Sequence, residues 1–290
     1  MAKKICIVEF DRFDNGKPIS SLPTFEELNQ ALLLSFKELG FEIYYKKNQL
    51  DPKSINILIG SHRLFYYFEE IIIKEDYYVF NLEPLDPRVY ENLDKFNIER
   101  FNRYRKFLSK SRVIDYSYVN KNIISKYHNN VEIFSFGFFD FKKDYLKNQS
   151  NNQFIFYGNF SQDDRREKIF SMLIKKQNLP IILFNDIWGL YRDNLIINSK
   201  GIFNIHRLDN VPLEIYRAWH CLSLGQQIIS EKSIDKELDH KMNDYVHFIE
   251  NAEEINLSYL QNLNSTKDFK QTCVRDNLHN LIKRLNLVKE

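Results

Sequence analysis

The chain has 290 residues, of which 43% are hydrophobic and 15% aromatic, so it can bury substantial cores and is not a disordered protein. Its 41 basic and 39 acidic residues give a net charge of +2, which argues against a general polyanion-binding role. The N-terminal segment does not have the pattern of a signal peptide, and no run reaches the roughly 20 apolar residues that span a bilayer. We therefore expect a cytoplasmic location.

The first half of the chain alternates short apolar runs with helical patterns. Strands are predicted at residues 5–10, 41–45, 55–59, 77–82, 113–116 and 131–136. Helices are predicted from Pro23 to about Leu39, after Gly60 to about Ile73, over most of residues 88–110, and briefly before residue 131. Because strands alternate with helices, we expect βαβ units and a mainly parallel sheet.

The polar segment 140–153, DFKKDYLKNQSNNQ, lacks apolar periodicity and predicts a domain boundary, which we place between residues 1–145 and 146–290. The pattern then restarts. Strands are predicted at residues 154–157, 181–184, 202–205, 227–230 and 245–249, and helices at 163–176, 213–224 and most of 252–287. We predict an α/β protein with two Rossmann-like domains facing each other across a cleft, and a ligand near the carboxyl ends of the strands.

The first candidate site follows the predicted strand 154–157. Gly158 allows a ligand to approach the backbone, and Asn159 comes directly after it. The next helix offers a positive N-terminus, which favours anions, and Arg165 or Arg166 can add a guanidinium that grips a diphosphate. A capped helix with solvated arginines would explain the same spacing.

Polar residues recur after the later strands: Asn204, His206, Glu214, Arg217, Ser230 and Glu231. Asn204 and His206 share one strand face, and burying both is costly unless a ligand or internal hydrogen bonds satisfy them. Glu214 and Arg217 lie three residues apart on a predicted helix, so they form either an ion pair or a set of ligands for hydroxyl and phosphate groups. Glu231 would bind a hydroxyl pair or remain solvated.

Neither a metal nor a bound cofactor is expected. The seven histidines form no H-x-x-x-H or H-E-x-x-H pair, and the sequence has no G-x-S-x-G nucleophile motif. The three cysteines have neither metal-ligand spacing nor a disulfide pattern, so we expect them to act as small buried hydrophobes.

Residues 187–231 resemble a family of bacterial and viral glycosyltransferases of the GT-B type. The family pattern G-x-x-R-D, S-K-I, N-I-H, L-E-x-x-R and V-S-E is matched by Gly189, Arg192, Asp193, Ser199, Lys200, Asn204, His206, Leu213, Glu214, Arg217, Ser230 and Glu231. In the first half, residues 81–83 (NLE), 115–117 (DYS) and 135–137 (SFG) are similar to family segments.

The resemblance implies that the second domain binds a nucleotide-sugar donor and that the first receives the acceptor. The expected enzyme is a hexosyl- or pentosyltransferase that moves a sugar to a hydroxyl group of a glycan or another cellular acceptor. Many retaining GT-B enzymes have a Glu where this chain has His220, so ribose binding would pass to Glu214 or Glu231, and the stereochemical course stays open.

The leaving diphosphate needs positive charge when no metal supplies it. Arg165 or Arg166, together with Arg217 and the helix N-terminus at Pro212, would provide it. An inverting route would also need a general base from the first half. The candidates lie at or just after predicted strand ends: Glu9, Asp11, His62, Glu83 and Asp115.

Two other functions fit the sequence. One is a non-catalytic scaffold that binds a nucleotide sugar through the same fold. The other is a glycosyltransferase that acts on a modified DNA base, for which a basic strip supplies the motive: Arg100, Arg103, Arg105, Lys106, Lys110 and Arg112. A solvated helix face is the commoner explanation of such a strip.

Overall fold

The computed structural model describes residues 4–14, 17–19, 24–91, 93–141, 145, 153–158, 164–264 and 266–287. Its strands form two parallel sheets and one hairpin. They are β1 (Lys4–Glu9), β2 (Arg12–Asp14), β3 (Lys17–Ile19), β4 (Glu42–Lys47), β5 (Ile55–Ile59), β6 (Tyr77–Phe80), β7 (Val113–Asp115), β8 (Val131–Ile133), β9 (Phe154–Tyr157), β10 (Ile181–Phe184), β11 (Gly201–Asn204), β12 (Ile228–Glu231) and β13 (His247–Ile249).

Helices follow most of these strands. They are α1 (Glu26–Glu38), α2 (Lys95–Leu108), α3 (Tyr118–Ile124), α4 (Asp164–Ser171, continued by a π turn over Met172–Lys176), α5 (Gly189–Asn198), α6 (Ile215–Ser223), α7 (Lys236–Met242), α8 (Leu257–Gln261) and α9 (Val274–Arg284). Short 3-10 turns lie at Ser61–Tyr66, Pro87–Val89, Ala252–Glu254 and Phe269–Gln271. Among the described helices, none is both long and apolar enough to cross a bilayer.

The chain divides into two compact units, the first made of Met1–Gly137 with Cys273–Glu290 and the second of Phe138–Thr272. The sheet of the first unit has the order β4-β1-β5-β6-β7-β8, and its neighbouring strands are all parallel. The strand order reverses between β1 and β5. In open α/β sheets ligands bind at such a switch point, beyond the carboxyl ends of the two strands. Residues 10–11 and 60–62 occupy that position here.

The second unit has a parallel sheet of the same kind with one strand fewer. Its sheet has the order β10-β9-β11-β12-β13, again with parallel neighbours, so the switch point lies between β9 and β11. The chain leaves β9 at Gly158 and leaves β11 at residues 205–206. The predicted alternation of strands and helices in two Rossmann-like units is confirmed.

Apolar strands explain why each sheet is buried on both faces. Ile5, Cys6, Ile7 and Val8 of β1 are all fully buried, as expected for a central parallel strand with helices on both sides. In the second unit, Phe154, from β9, and Phe203, from β11, lie in the core with the helices. Cys6 and Cys221 are buried and all three cysteines are free, in line with their expected role as small hydrophobes.

The structure places the unit boundary differently from the predicted one. The first unit ends at Gly137 rather than residue 145, and it also contains the C-terminal helix α9. The apolar face of α9 packs against α1 and β8, while Arg284 donates to Glu132 (2.8 Å) and to the Ile133 carbonyl (2.7 Å). A Cβ on Gly137 would lie 2.7 Å from the Cys273 carbonyl carbon, so the chain passes itself closely at this point.

The helix predicted after Gly60 to about Ile73 is wrong. Only residues 61–66 form a 3-10 turn, and residues 68–76 contain no helix or strand. Three consecutive β-branched residues, 71–73, disfavour a helix there. Gly60 adopts a left-handed conformation (φ 72°), and its Cβ would lie 3.1 Å from the Phe10 carbonyl oxygen. This tight turn sets the direction in which residues 61–62 leave the sheet.

Candidate functional site

Arg217 lines the switch point of the second unit. Its Nη1 donates to Asn204 Oδ1 (2.7 Å) and forms an ion pair with Glu214 Oε2 (2.5 Å). Gly158 leaves β9 with φ 138°, and a Cβ there would lie 3.0 Å from Arg217 Nη2. Glycine at this position therefore leaves room for the guanidinium beside the backbone.

A second arginine shares the same carboxylate. Arg166, from α4, donates to Glu214 Oε1 (2.7 Å) and to the Ile205 carbonyl (2.9 Å). Both Arg166 and Arg217 lie over the Phe156 ring, at 5.1 and 5.4 Å from its centroid. Two arginines and one glutamate thus form a cluster with a formal charge of +1. Burial alone disfavours the Glu214 carboxylate, but Arg217 and Arg166 outweigh it and hold its pKa below the usual range.

Arg165 belongs to a separate pair. Its two Nη atoms bind both oxygens of Glu231 (2.7 and 3.0 Å), its Nη1 also donates to the His206 carbonyl (2.8 Å), and its Nε donates to Asp209 (2.8 Å). The backbone N–H of His206 donates to Glu231 Oε2 (2.8 Å). The hydrogen bonds of the Glu231 carboxylate therefore hold Arg165 and the chain after β11 in place.

His206 is a buried neutral histidine. Burial lowers its pKa, although Glu214 and Glu231 oppose the effect. Its Nε2 lies 3.1 Å from the Glu231 carbonyl, which fixes this nitrogen as the donor. The other nitrogen, Nδ1, is buried without a hydrogen-bond partner among the described residues. Leaving it unpaired costs free energy, and a hydroxyl group that donated a hydrogen bond to it would remove that cost.

The predicted donor-binding residues fall into two groups. Glu214 (28% exposed), Arg165 (29%) and Arg217 (14%) reach the surface beside Gly158 or the chain after β11. Apart from Gly158, the other described residues of the set are buried supports: Arg166, Asn204, His206, Ser230 and Glu231. Ser230, for example, accepts from Asn204 (2.9 Å) and donates to the Glu231 carbonyl (2.9 Å). Asn159 lies outside the described residues.

One aromatic residue was missed by the sequence reasoning. Tyr157, the last residue of β9, contacts Arg217 and Arg192, whose guanidinium carbons are 5.4 and 5.8 Å from its ring centroid. Its position directly before Gly158 was the available signal. His220 is buried and its Nε2 lies 3.2 Å from Asp193 Oδ1, so it supports the helices α5 and α6.

In the first unit, two candidate bases meet. His62 follows β5 and Glu83 follows β6, and these strands are neighbours in the sheet. His62 Nε2 lies 3.3 Å from Glu83 Oε1, with 19% and 35% of the two side chains exposed. The Tyr104 ring contacts the imidazole edge-on, with the two ring centroids 6.1 Å apart. A carboxylate that orients an imidazole is an arrangement suited to proton transfer.

Asp115 is fully buried and cannot touch a substrate in this conformation. It accepts hydrogen bonds from Asn81 Nδ2 (2.7 Å), the Ser117 N–H (2.8 Å) and Asn120 Nδ2 (3.2 Å). Burial raises its pKa to about 7, although these donors pull the value down. Its contacts join the D-Y-S segment, to which it belongs, to Asn81 of the N-L-E segment.

Asp11 and Glu9 also bind neighbouring side chains of the first unit. Asp11 accepts from Asn48 Nδ2 (3.1 Å) and lies 3.6 Å from Lys47 Nζ. Glu9 Oε2 accepts from Asn29 (2.5 Å) and from the Tyr45 hydroxyl (2.7 Å). Both side chains are at least 92% buried, so they shape the end of β1 rather than present a reactive group.

The predicted basic strip lies on α2 and just after it, and two of its six charges are paired with carboxylates. Arg100 stacks on Tyr66 (3.7 Å), and Arg103 donates to the Phe65 carbonyl (3.1 Å). Lys110 lies 3.9 Å from Glu70, and Arg112 pairs with Asp76. Such pairing reduces the positive field that a DNA backbone would meet.

No protein-family model matches the chain, and no curated protein matches its sequence. Its structure is similar to that of AviGT4, a glycosyltransferase involved in avilamycin A biosynthesis, with a TM-score of 0.61, 8% identity and coverage of 98% of this chain and 97% of that one. It is also similar to Anabaena Alr3699/HepE in complex with UDP and glucose, with a TM-score of 0.60, 9% identity and coverage of 98% and 100%. These proteins are GT-B glycosyltransferases, and the present chain has the GT-B fold.

Proposed function

We propose that the protein is a glycosyltransferase that moves a hexosyl or pentosyl group from a nucleoside-diphosphate sugar to an acceptor hydroxyl, and that it belongs to the bacterial and viral family that its motifs resemble. One observation carries the proposal. The switch point of the second unit holds Gly158 next to Arg217, in a cluster that Glu214 aligns and that keeps a positive charge. A diphosphate is the ligand that this chemistry fits.

The cluster would act on the leaving group. As the bond from the anomeric carbon to the diphosphate breaks, negative charge grows on the phosphate oxygen, and prealigned guanidinium groups stabilise that charge. Arg217 is the group nearest the open backbone at Gly158, and Arg166 holds it indirectly through Glu214. We propose that this charge suffices without an essential metal.

Glu214 is the better candidate of the two glutamates for a sugar hydroxyl. Its side chain is 28% exposed and each of its oxygens can accept a further hydrogen bond. Glu231 is largely buried and its oxygens already serve Arg165 and the His206 backbone. We therefore assign ribose or sugar hydroxyl binding to Glu214 and a supporting role to Glu231.

A glycan or similar acceptor fits better than DNA, because the net charge of the chain is only +2 and two residues of the basic strip, Lys110 and Arg112, pair with Glu70 and Asp76. Similar solved structures support a sugar-transfer enzyme. AviGT4 is a glycosyltransferase involved in avilamycin A biosynthesis, and the HepE structures are complexes with UDP and glucose and, at a TM-score of 0.57, with UDP-glucose. A non-catalytic scaffold would bind the nucleotide sugar at the same site but would neither transfer nor hydrolyse it.

Donor binding is tested by following melting of the purified protein with UDP, GDP, TDP and CMP, and with their sugar conjugates. We expect at least one nucleoside diphosphate to raise the melting temperature, and Arg217→Ala to abolish the rise. Arg284→Ala, which removes a surface arginine of the first unit, is the matched control and should leave it intact. If no nucleotide or nucleotide sugar raises the melting temperature, the proposal is refuted. Hydrolysis of the bound nucleotide sugar would exclude the non-catalytic scaffold.

A further inference from the structure

Exposed apolar side chains are concentrated beside helix α2 of the first unit. Tyr67, Phe68 and Ile72 come from the segment that follows the 3-10 turn at Ser61–Tyr66, and Phe96 comes from the first turn of α2. These four side chains form the α2 surface, in which Ile72 is 81% exposed. They are four of the ten large apolar or aromatic side chains that are exposed in the described part of the chain, which indicates a binding surface rather than scattered exposure.

Contacts at two points hold this segment against α2. The Tyr66 ring contacts the Phe96 ring, with the two centroids 6.3 Å apart, and the Arg100 guanidinium stacks on Tyr66 at 3.7 Å. Beyond the other end of α2, the Lys110 ammonium lies 3.9 Å from the Glu70 carboxylate. The segment is therefore anchored near both ends of the helix, and its apolar side chains are presented from a fixed support.

Basic side chains border the α2 surface. The segments 66–76 and 94–112 together carry eight basic and six acidic residues. Arg100, Arg103 and Lys106 follow one another at intervals of three residues, so they share one side of α2. None of these three has a carboxylate within 4.0 Å among the residues that the structure describes. This face of the first unit is therefore apolar with an excess of positive charge.

We propose that the α2 surface and its basic border dock on an anionic lipid surface. Aromatic and aliphatic side chains enter the boundary between headgroups and acyl chains, while Lys and Arg attract anionic headgroups. A nucleic acid offers no apolar phase to Phe68 or Ile72. In a two-fold contact with a second copy of the chain, the same basic side chains would meet each other, and like charges weaken such a contact. A lipid surface satisfies both the apolar and the basic part.

Flotation of the full-length protein with lipid vesicles tests the proposal. Vesicles of equal parts phosphatidylcholine and phosphatidylglycerol should bind it about tenfold or more tightly than phosphatidylcholine alone, because each basic side chain near an anionic surface contributes about fivefold in affinity. The double variant Phe68→Ser/Ile72→Ser should bind the mixed vesicles about tenfold or more weakly, because it loses the apolar contact. Lys106→Gln should bind them about fivefold more weakly.

Leu190→Ser/Tyr191→Ser is the matched control. It removes two exposed apolar side chains, 49% and 62% exposed, from α5 in the second unit. It should leave binding to the mixed vesicles unchanged. All the altered side chains are exposed, so each variant should melt within a few degrees of the wild type, and a loss of vesicle binding then reports the contact itself.

Three results would overturn the proposal. The first is a wild-type protein that does not float with the mixed vesicles at low ionic strength, where charge attraction is strongest. The second is equal loss of vesicle binding in Leu190→Ser/Tyr191→Ser and Phe68→Ser/Ile72→Ser. The third is a wild-type dimer in gel filtration that Phe68→Ser/Ile72→Ser converts to a monomer, since the face would then join two copies. The assay contains no nucleotide sugar, so its result is independent of the proposed transferase function.

Discussion

Replacing Gly158 by alanine tests the proposed donor site. Gly158 has a φ of 138°, which an L-residue adopts only with strain of about 1–3 kcal/mol. The new Cβ would lie 3.0 Å from Arg217 Nη2, so the guanidinium must move by a few tenths of an ångström and its 2.7 Å bond to Asn204 must lengthen. A misplaced arginine loses a charge-assisted hydrogen bond to phosphate, worth about 1.5–3 kcal/mol, or about 10- to 100-fold in Kd.

Gly225→Ala is the matched control for strain. Gly225 lies in the same unit with φ 78°, but nothing lies within 4 Å of its Cβ position. Both variants should therefore lose comparable stability in urea titrations, while only Gly158→Ala should weaken nucleoside-diphosphate binding in calorimetry. Equal loss of binding in both variants, or normal binding by Gly158→Ala, would refute the assignment of Arg217 to the phosphate.

Three further results are expected. Glu231→Gln should lower the free energy of unfolding by about 2 kcal/mol, because it loses the ion pair with Arg165, and it should leave the donor Kd within twofold. Glu214→Gln should raise the donor Kd at least tenfold. The reverse pattern of Kd values in calorimetry would exchange the two roles. Transfer or hydrolysis should persist in EDTA, and activity that returns only with added Mg²⁺ or Mn²⁺ would contradict the metal-free proposal. Burial raises the pKa of Asp115 from 3.8 to about 7, so the folded protein keeps a proton that the unfolded chain releases. Wild-type stability relative to Asp115→Asn should therefore fall by about 4 kcal/mol as the pH rises from 4 to 7 and then level off; a difference independent of pH in urea titrations would contradict this.

The strand ends were predictable because the signal is local. Parallel strands buried on both faces appear as short apolar runs, and the first polar residues after each run must lie at the carboxyl edge of the sheet. This is why Gly158, Asn204, His206 and Glu231 were singled out, and why β9 and β10 begin and end where expected.

Partnerships between distant segments were not predictable. The sequence shows that Glu231 ends a strand, but only the packed unit shows that its oxygens bind Arg165, 66 residues away in the chain. In the same way α9 has an amphipathic pattern that fits either unit, and its place against α1 follows from tertiary packing alone. The run 61–73 failed as a helix because helical spacing of apolar residues does not outweigh three β-branched residues in succession.

The proposed donor site would work by aligning its charged groups rather than by an excess of positive charge. Each of the three arginines near the switch point has a carboxylate partner, and only the Arg166–Glu214–Arg217 cluster keeps a net positive charge. A bare arginine cluster would carry more positive charge, but its flexible side chains would have to be ordered on every binding event. Carboxylates and a phenylalanine face that fix the guanidinium planes remove that cost beforehand. In the proposed reaction, such fixed charges would stabilise the departing diphosphate more than the intact donor, which is what a transferase requires.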